Sequence, residues 1–430
     1  MFLAPAEDER GLKYVSKNRK ERISAIAEQL ATSNYDIVGL QELWVSADYQ
    51  WIRNKIMTQL PFSKFFYRHV TSLGAGLAIF SKYPIVAASI HPYSLNGSPL
   101  DVTGGDWYVG KSAASVVINH PVLGDVEIFN THLYAKGGEG GPEERRAHRL
   151  VNAWELAKLV RRSAKLGRYL GDFNNVPSAL PIKLIREYTG LSDAWEDSHP
   201  LSHNRDVLSP QQAITEYGIT ADSPLNSYSA GKPLDHVARK YQGKRLDYIF
   251  YRLPVTPDQV RYSLKATGCH VTFTSRVPGY NFSYSDHFGV EAHIELVPPE
   301  SLSGTAVTQS LFKLTGNNFP NSSFSITLQA LTNYYRISRS NSHFQLLIFA
   351  ICLTIVLGLI ISSAFLPRSW LNPIYILFTV IVSWLATTML YSGFIYGQWE
   401  VNALTNIIEE LELAGQRREC DRSQTVTPNM

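Results

Sequence analysis

Cysteine is scarce in this sequence: Cys269, Cys352 and Cys420 are the only three among 430 residues. They lie far apart, so they make neither a metal knuckle nor a disulfide framework. Such usage suits a reducing compartment. Charge of one sign is scarce too. Lys and Arg total 40 against 37 Asp and Glu, a formal net charge of +3. A dedicated nucleic-acid binder carries a larger basic excess, so nucleic acid is not an expected partner. The start, MFLAPAEDERGLKY, lacks an apolar core long enough for a signal peptide and places acidic residues where a basic leader would stand. Targeting is therefore expected to lie elsewhere.

Long uncharged runs are present near the other end. Residues 344–366 and 374–396 are each 23 residues without a charge. About 20 apolar residues cross a bilayer core, so each run is long enough to span. Pro367 to Pro373 leaves room only for a tight turn, which predicts a two-helix membrane hairpin over 343–397. Trp370, Trp384, Tyr391, Tyr396 and Trp399 supply aromatic side chains for headgroup depth. An even number of spans puts both ends on one side. With no leader that side is expected to be the cytosol, at the endoplasmic reticulum or another intracellular membrane.

Residues 1–297 read as one catalytic domain. Ile23, Ile26, Ala27 and Leu30 keep helical spacing. Short apolar strands follow at Ile37–Leu40, Gly76–Phe80, Ser115–Ile118 and Val126–Thr131, with a long helix over 143–164. No regular βαβ rhythm appears, so a mixed sheet or sheet pair with outer helices fits better than a doubly wound fold. Residues 298–342, rich in Ser, Thr and Asn after Pro298-Pro299, read as a linker with little core of its own. Over 398–430, WEVNALTNIIEELEL predicts an amphipathic helix followed by a polar tail.

Five short stations stand at predicted strand ends: Gln41-Glu42, Thr131-His132-Leu133, Gly171-Asp172-Phe173-Asn174, Asp247 in Arg245–Tyr248, and Ser285-Asp286-His287. Each is weak alone. A lone Glu after a strand is more often a solvated turn residue, and a lone Thr-His a satisfied core histidine. Together they supply what phosphodiester hydrolysis needs. Hard carboxylate oxygens hold Mg²⁺, a histidine serves as base towards water, and further donors stabilise charge on the phosphoryl oxygens.

The wording and order of these stations resemble the endonuclease/exonuclease/phosphatase superfamily. Within it the chain is similar to neutral sphingomyelinases and fungal inositol-phosphosphingolipid phospholipases C. The resemblance rests on YDIVGLQELW, AGLAIFSKYPI, GDWYVGKSA, NTHLYA, AHRLVNAWELAKL, GDFN, TGLSDAW, KRLDYIFY, SDHFGVEA and the hairpin. It implies an α/β fold, a DNase-I-like sandwich of two packed mixed β-sheets flanked by helices. It implies Glu42 as a carboxylate ligand of Mg²⁺ with Asp286 lining the metal side. His132 would contact the phosphoryl group, and Asp172 and Asn174 would position water and phosphate. His287 would be the base, oriented by Asp247. The implied reaction is in-line attack of water on phosphorus, releasing ceramide and a phosphorylated head group. The implied partners are a membrane sphingolipid, the bilayer and its anionic phospholipids. A nuclease or phosphatase of the same fold, or an inactive membrane-anchored homologue, are the alternatives.

Gly105 to Ser112 satisfies the phosphate-binding-loop pattern letter for letter. That loop needs a helix after it, whereas SAASVVINH reads as a strand, so nucleotide binding is not expected. The resemblance instead assigns Asp106 and Lys111 to a regulatory loop over the site, with Lys111 near the lipid phosphate. Relatives begin with a strand bearing Asn-x-Trp. Here MFLAPAEDER carries neither, so residues 1–10 are expected not to form a core strand. The segment Ser198–Arg239 resembles the fungal branch, which leans towards inositol-phosphosphingolipids.

Overall fold

The computed structural model describes residues 17–67, 74–101, 105–136, 143–163, 166–200, 209–252, 263–297, 321–365 and 369–425. The expectation for residues 1–10 lies outside these.

Helix α1 (Arg19–Ala31) buries Ala27 and Leu30, and helix α2 (Ser46–Ile56) buries Tyr49, Ile52 and Ile56. Both sets, spaced by three or four, form one stripe per helix. Both stripes cover a three-stranded antiparallel sheet of β1 (Ile37–Leu40), β2 (Phe62–Phe66) and β3 (Leu77–Ser81), in the order β1-β3-β2. The opposite face of this sheet meets the second layer.

That layer is a six-stranded sheet in the order β4-β5-β6-β7-β9-β8. Its strands are β4 (Ile85–Pro92), β5 (Ser112–His120), β6 (Gly124–His132), β7 (Leu166–Asp172), β8 (Ser192–Asp193) and β9 (Asp247–Arg252). Only β6 and β7 pair in parallel, which makes the sheet mixed. A separate antiparallel pair, β10 (Ser263–Thr272) and β11 (Gly289–Val297), packs on the same inner face as β3. Leu77, Ile79, Val116, Ile128 and Ala266 form the core between the layers. The outer face of the large sheet carries α4 (Glu143–Arg162) and α5 (Leu180–Thr189). Helices therefore sandwich two β layers, as the sequence led us to expect.

The expected loop after β4 holds one short helix, α3 (Asp106–Val109), and β5 starts at Ser112. A strand follows the Gly-Lys-Ser, so the phosphate-binding-loop reading fails as anticipated. Between β8 and β9 lie α6 (Ala194–Ser198), α7 (Pro210–Tyr217) and α8 (His236–Tyr241).

The linker reading of 298–342 needs correction from Asn321 onwards; residues 298–320 lie outside those described. Helix α9 runs unbroken from Asn321 to Ser363. Its first half buries Ala330, Leu331 and Tyr334, with Phe324 and Leu328 beside them, in the core formed by α4 and α5. These residues keep helical spacing, but the Ser, Thr and Asn between them gave the segment a linker's composition. The return helix α10 (Asn372–Leu390) passes through a wider π-turn at Tyr391–Tyr396 into α11 (Gly397–Thr425). The expected polar tail thus continues the helix to Thr425. Helix α11 also buries Leu404, Ile407 and Leu411 in the same core.

The hairpin itself leaves its apolar side chains uncovered. Leu357, Ile361, Ile376 and Trp384 are all more than half exposed, and only a small cluster around Cys352, Val382 and Ala386 joins the two helices. Among the described residues two helices are long and apolar enough to cross a membrane. Below the spans, Glu400 collects the buried junction. It accepts from Tyr334 Oη (2.8 Å), Ser338 Oγ (2.6 Å) and Tyr396 Oη (2.9 Å), with His148 Nε2 at 3.1 Å. The Gly97 N–H donates to His148 Nδ1 (2.8 Å), so Nε2 carries the proton that points at Glu400.

Candidate active site

The strand registers bring the site together. Ser112 faces His132, His132 faces Asp172, and Asp172 faces Asp247 across β5, β6, β7 and β9. One row at one sheet end thus carries Lys111, just before β5, His132, Asp172 and Asp247. Gly171 permits the close parallel pairing that makes this row. Its φ is +145°, and a Cβ there would lie 2.0 Å from Thr131 O. Asn174, at φ 50°, turns back so that its N–H donates to Asp172 Oδ1 (2.8 Å) and its Nδ2 to Leu133 O (2.9 Å). Asn tolerates this left-handed geometry better than most residues.

A chain of polar contacts runs along the row. His287 Nδ1 lies 2.9 Å from Asp247 Oδ2, which fixes the ring with Nε2 directed away from the carboxylate. His132 Nε2 is 3.3 Å from Asp172 Oδ2, and Lys111 Nζ is 2.6 Å from the same nitrogen. Lys111 also pairs with Asp106 (3.3 Å), whose Oδ2 accepts the N–H groups of Ala135 and Lys136. Asp106 and Lys111 are therefore joined to the row through His132. Lys111 is buried at 3% exposure.

Burial and charge act against each other here. Burial alone would lift the Asp172 carboxyl, yet the charge of His287, and then His132, holds it down at about 2. Asp247 is pushed up, by burial and by Asp172 beside it, against the pull of His287. Burial disfavours a charged His287, but Asp247 and Asp172 outweigh it and raise the imidazole well above its ordinary value.

Part of the segment Ser198–Arg239 clamps the loop that bears His287. Asn226 Nδ2 donates to Ser285 O (2.9 Å) and Asp286 O (3.0 Å). Ser227 and Ser283 exchange two backbone-to-hydroxyl bonds. Thr220 Oγ1 accepts the N–H groups of Leu246 and Asp247, and Thr220 O accepts that of Phe288. Sequence reasoning missed Thr220, Asn226 and Ser283 as positioning residues. Their partners lie more than 20 positions away in the chain, and no local pattern marks them. It also missed Asn130, whose Nδ2 donates to Leu40 O (2.9 Å) and Ala78 O (3.0 Å), tying the end of β1 to β6. The phrase NTH was the available signal.

Of the carboxylates expected at the metal, Asp286 adds its charge to those acting on His287. Glu42 and Asp286 are both exposed, and Glu42 adopts φ 59°, uncommon outside glycine. Both charges act on Tyr228, whose phenol is raised by burial first and, against Arg22, by these two carboxylates. Among the described residues Glu42 accepts no side-chain hydrogen bond, so its oxygens remain open for a hard cation. A second donor set lies in the row, where atoms of Asp172, Asp247 and His287 fall within 4.8 Å of one another. Two of these three groups are already bonded to each other.

A histidine held by a carboxylate, beside further carboxylates, a lysine and an asparagine at one edge of a two-layer sandwich, is an arrangement suited to the hydrolysis of phosphate esters. Residues 14–287 match the Endonuclease/Exonuclease/phosphatase family, and the chain belongs to it, with the DNase-I-like fold. Inositol phosphosphingolipids phospholipase C of Schizosaccharomyces pombe is 35% identical over 416 residues, covering 94% of this chain and 91% of that protein. The protein of the same name in Saccharomyces cerevisiae is 29% identical over 434 residues, covering 93% and 87%. Sphingomyelin phosphodiesterase 2 of Mus musculus is 30% identical over 293 residues, covering 67% of this chain and 64% of that protein.

Proposed function

We propose that this protein is a Mg²⁺-dependent sphingolipid phospholipase C, cleaving inositol-phosphosphingolipids in preference to sphingomyelin to give ceramide and a phosphorylated head group. The row Lys111–His132–Asp172–Asp247 with His287 above it carries this reading. His287 Nε2, turned outward by the Asp247 bond, takes the proton of the attacking water. Asp172 and Asn174 orient that water against phosphorus. His132 and Lys111 face the non-bridging oxygens, where negative charge builds in the transition state. Glu42, with Asp286 on the same side, would hold the cation, which when bound neutralises phosphoryl charge. The water–phosphorus bond forms as the bond to the ceramide oxygen breaks.

The hairpin supports an integral membrane protein whose catalytic domain lies on the cytosolic face of an intracellular membrane, in contact with anionic phospholipids. The deciding experiment is a head-group release assay on the purified full-length chain in Mg²⁺, with vesicles holding inositol-phosphorylceramide or sphingomyelin. The expected result is ceramide from both, faster from the inositol lipid. Failure on both lipids with cleavage of DNA or nucleotides would overturn the proposal.

A further inference from the structure

A cavity of about 130 Å³ lies at the root of the hairpin. Ser342 and Gln345, at the start of the first apolar run, meet Ser392 and Tyr396, at the close of the second, around it. Glu144 of α4 and Glu400 of α11 complete the lining. The space holds about four waters at about 30 Å³ each. Ser338, Ser342, Ser392 and Glu400 are buried and form its floor. Glu144, Asn341 and Gln345 are not fully buried and mark its open side.

Polar capacity is left over inside it. Ser392 is 2% exposed, yet its Oγ has no hydrogen-bond partner. Among the described residues the side chains of Glu144, Asn341 and Gln345 make no hydrogen bond either. Ser342 Oγ donates to Gly393 O (2.6 Å), within the π-turn that carries Ser392. Such turns gather at functional sites. Charge adds a sign to the cavity. Burial would raise the Glu400 carboxyl, but His148 first, then Ser338 and Tyr334, hold it below its ordinary value. Three of its contacts fall on Oε1 and only Ser338 on Oε2, so Oε2 can accept again. Glu144 brings a second carboxylate, and among the described residues lining the cavity there is no Lys, Arg or His. Spare acceptors beside two carboxylates call for a ligand that donates and carries positive charge.

We propose that this cavity binds the primary ammonium of a lipid head group, with phosphatidylethanolamine the class that fits. The inference rests on the hairpin being the membrane anchor, which sets the cavity at head-group depth, where the exposed Trp399 also stands. A primary ammonium has three N–H donors and no acceptor. Ser392 Oγ, Glu400 Oε2 and the Glu144 carboxylate take those three. The amides of Asn341 and Gln345, on the open side, donate to the phosphodiester oxygens. Phosphatidylserine brings a further carboxylate towards Glu144, and a trimethylated head group has no N–H to give, so both are poorer ligands.

Native mass spectrometry of the full-length chain in detergent tests this with dioctanoyl phosphatidylethanolamine, phosphatidylcholine and phosphatidylserine. The ethanolamine lipid is expected to be retained about 10-fold or more over the choline lipid. Glu144→Gln and Ser392→Ala should each cut that preference by about 3- to 10-fold, with thermal melts showing that the variants are folded. Glu144 is partly exposed, so its variant keeps the test if Ser392→Ala unfolds. Equal retention of the ethanolamine and choline lipids overturns the proposal, as does a preference that neither variant reduces. Displacement of the lipid by potassium chloride, but not by choline chloride at the same ionic strength, overturns the lipid source in favour of an inorganic cation. No retention of any lipid leaves the cavity to water and overturns the proposal too. Catalysis is not read in any arm, so a failed phosphodiesterase assay and a failed retention assay are distinct results.

Discussion

At the scale of single residues, the proposed chemistry rests on His287 and Asp247. Removing the imidazole in His287→Ala leaves Asp247 facing solvent rather than a buried void, since His287 is itself only partly buried. The rate is expected to fall by about 10²–10⁴-fold while the melting temperature holds. A steady-state head-group assay with parallel thermal melts checks both halves. Glu42→Gln exchanges a charged ligand for a neutral amide, a poorer partner for a hard cation. Its Mg²⁺ titration should shift to higher concentration with the maximal rate less affected, and full activity of the unaltered protein in excess EDTA would remove metal from the mechanism. His132, Asp172, Asn174 and His287 were legible as candidates in the sequence because each sits beside a short apolar strand. Lys111 was a candidate from the resemblance, yet only the structure shows it bonded to His132, since that contact depends on the β5–β6 register.

At the scale of elements, the loop bearing His287 is held by a segment more than fifty residues upstream. Asn226→Ala removes two donors from the carbonyls of Ser285 and Asp286. A shift of about 1 Å at a catalytic group can cost up to about 100-fold. The expected outcome is therefore a 10- to 100-fold fall in kcat with KM little changed, and restoration of most activity in Asn226→Gln only if the longer side chain reaches the same carbonyls. An equal rate in Asn226→Ala would show that Thr220 and Ser227 suffice. The sequence tied this segment to substrate choice as an expectation; what its tertiary contacts show is that it holds the loop bearing His287.

On the scale of the whole molecule, the hairpin rests on the catalytic domain through two helical stalks. Leu331, Tyr334, Leu404, Ile407 and Leu411 belong to the same core as α4 and α5. Ending the chain near Val297 would strip that core and expose α4, so such a truncation is expected to aggregate. Removing residues 343–396 alone is the better cut, because Gly397 stands against Ser342, 3.0 Å from a Cβ built there. Joined by a short glycine loop, the two stalks should stay docked. The product should leave the membrane fraction, hydrolyse detergent-dispersed lipid and act poorly on vesicles. Flotation with liposomes and paired assays would show it, and undiminished vesicle activity would mean that the hairpin is not the anchor. Within the intact chain, Leu357→Arg places a cation at an uncovered, apolar position and should cost about 2.5–3.5 kcal/mol of insertion, read as a rise in carbonate-extractable protein.

The sequence by itself determined the local elements that need only near neighbours: the uncharged spans, the amphipathic α1 and the short strands that end in polar stations. Apolar periodicity and charge write these directly into the chain. Tertiary structure decided what depends on distant register. It aligned His132, Asp172 and Asp247 in one row, since strand pairing fixes which residue faces which. It turned Asn321–Ser342 from an apparent linker into a core helix, because a stripe of five apolar residues needs the α4–α5 surface before it can be buried. It also gathered Glu144, Ser392 and Glu400 around one cavity, for polar side chains on separate helices converge only once those helices have packed.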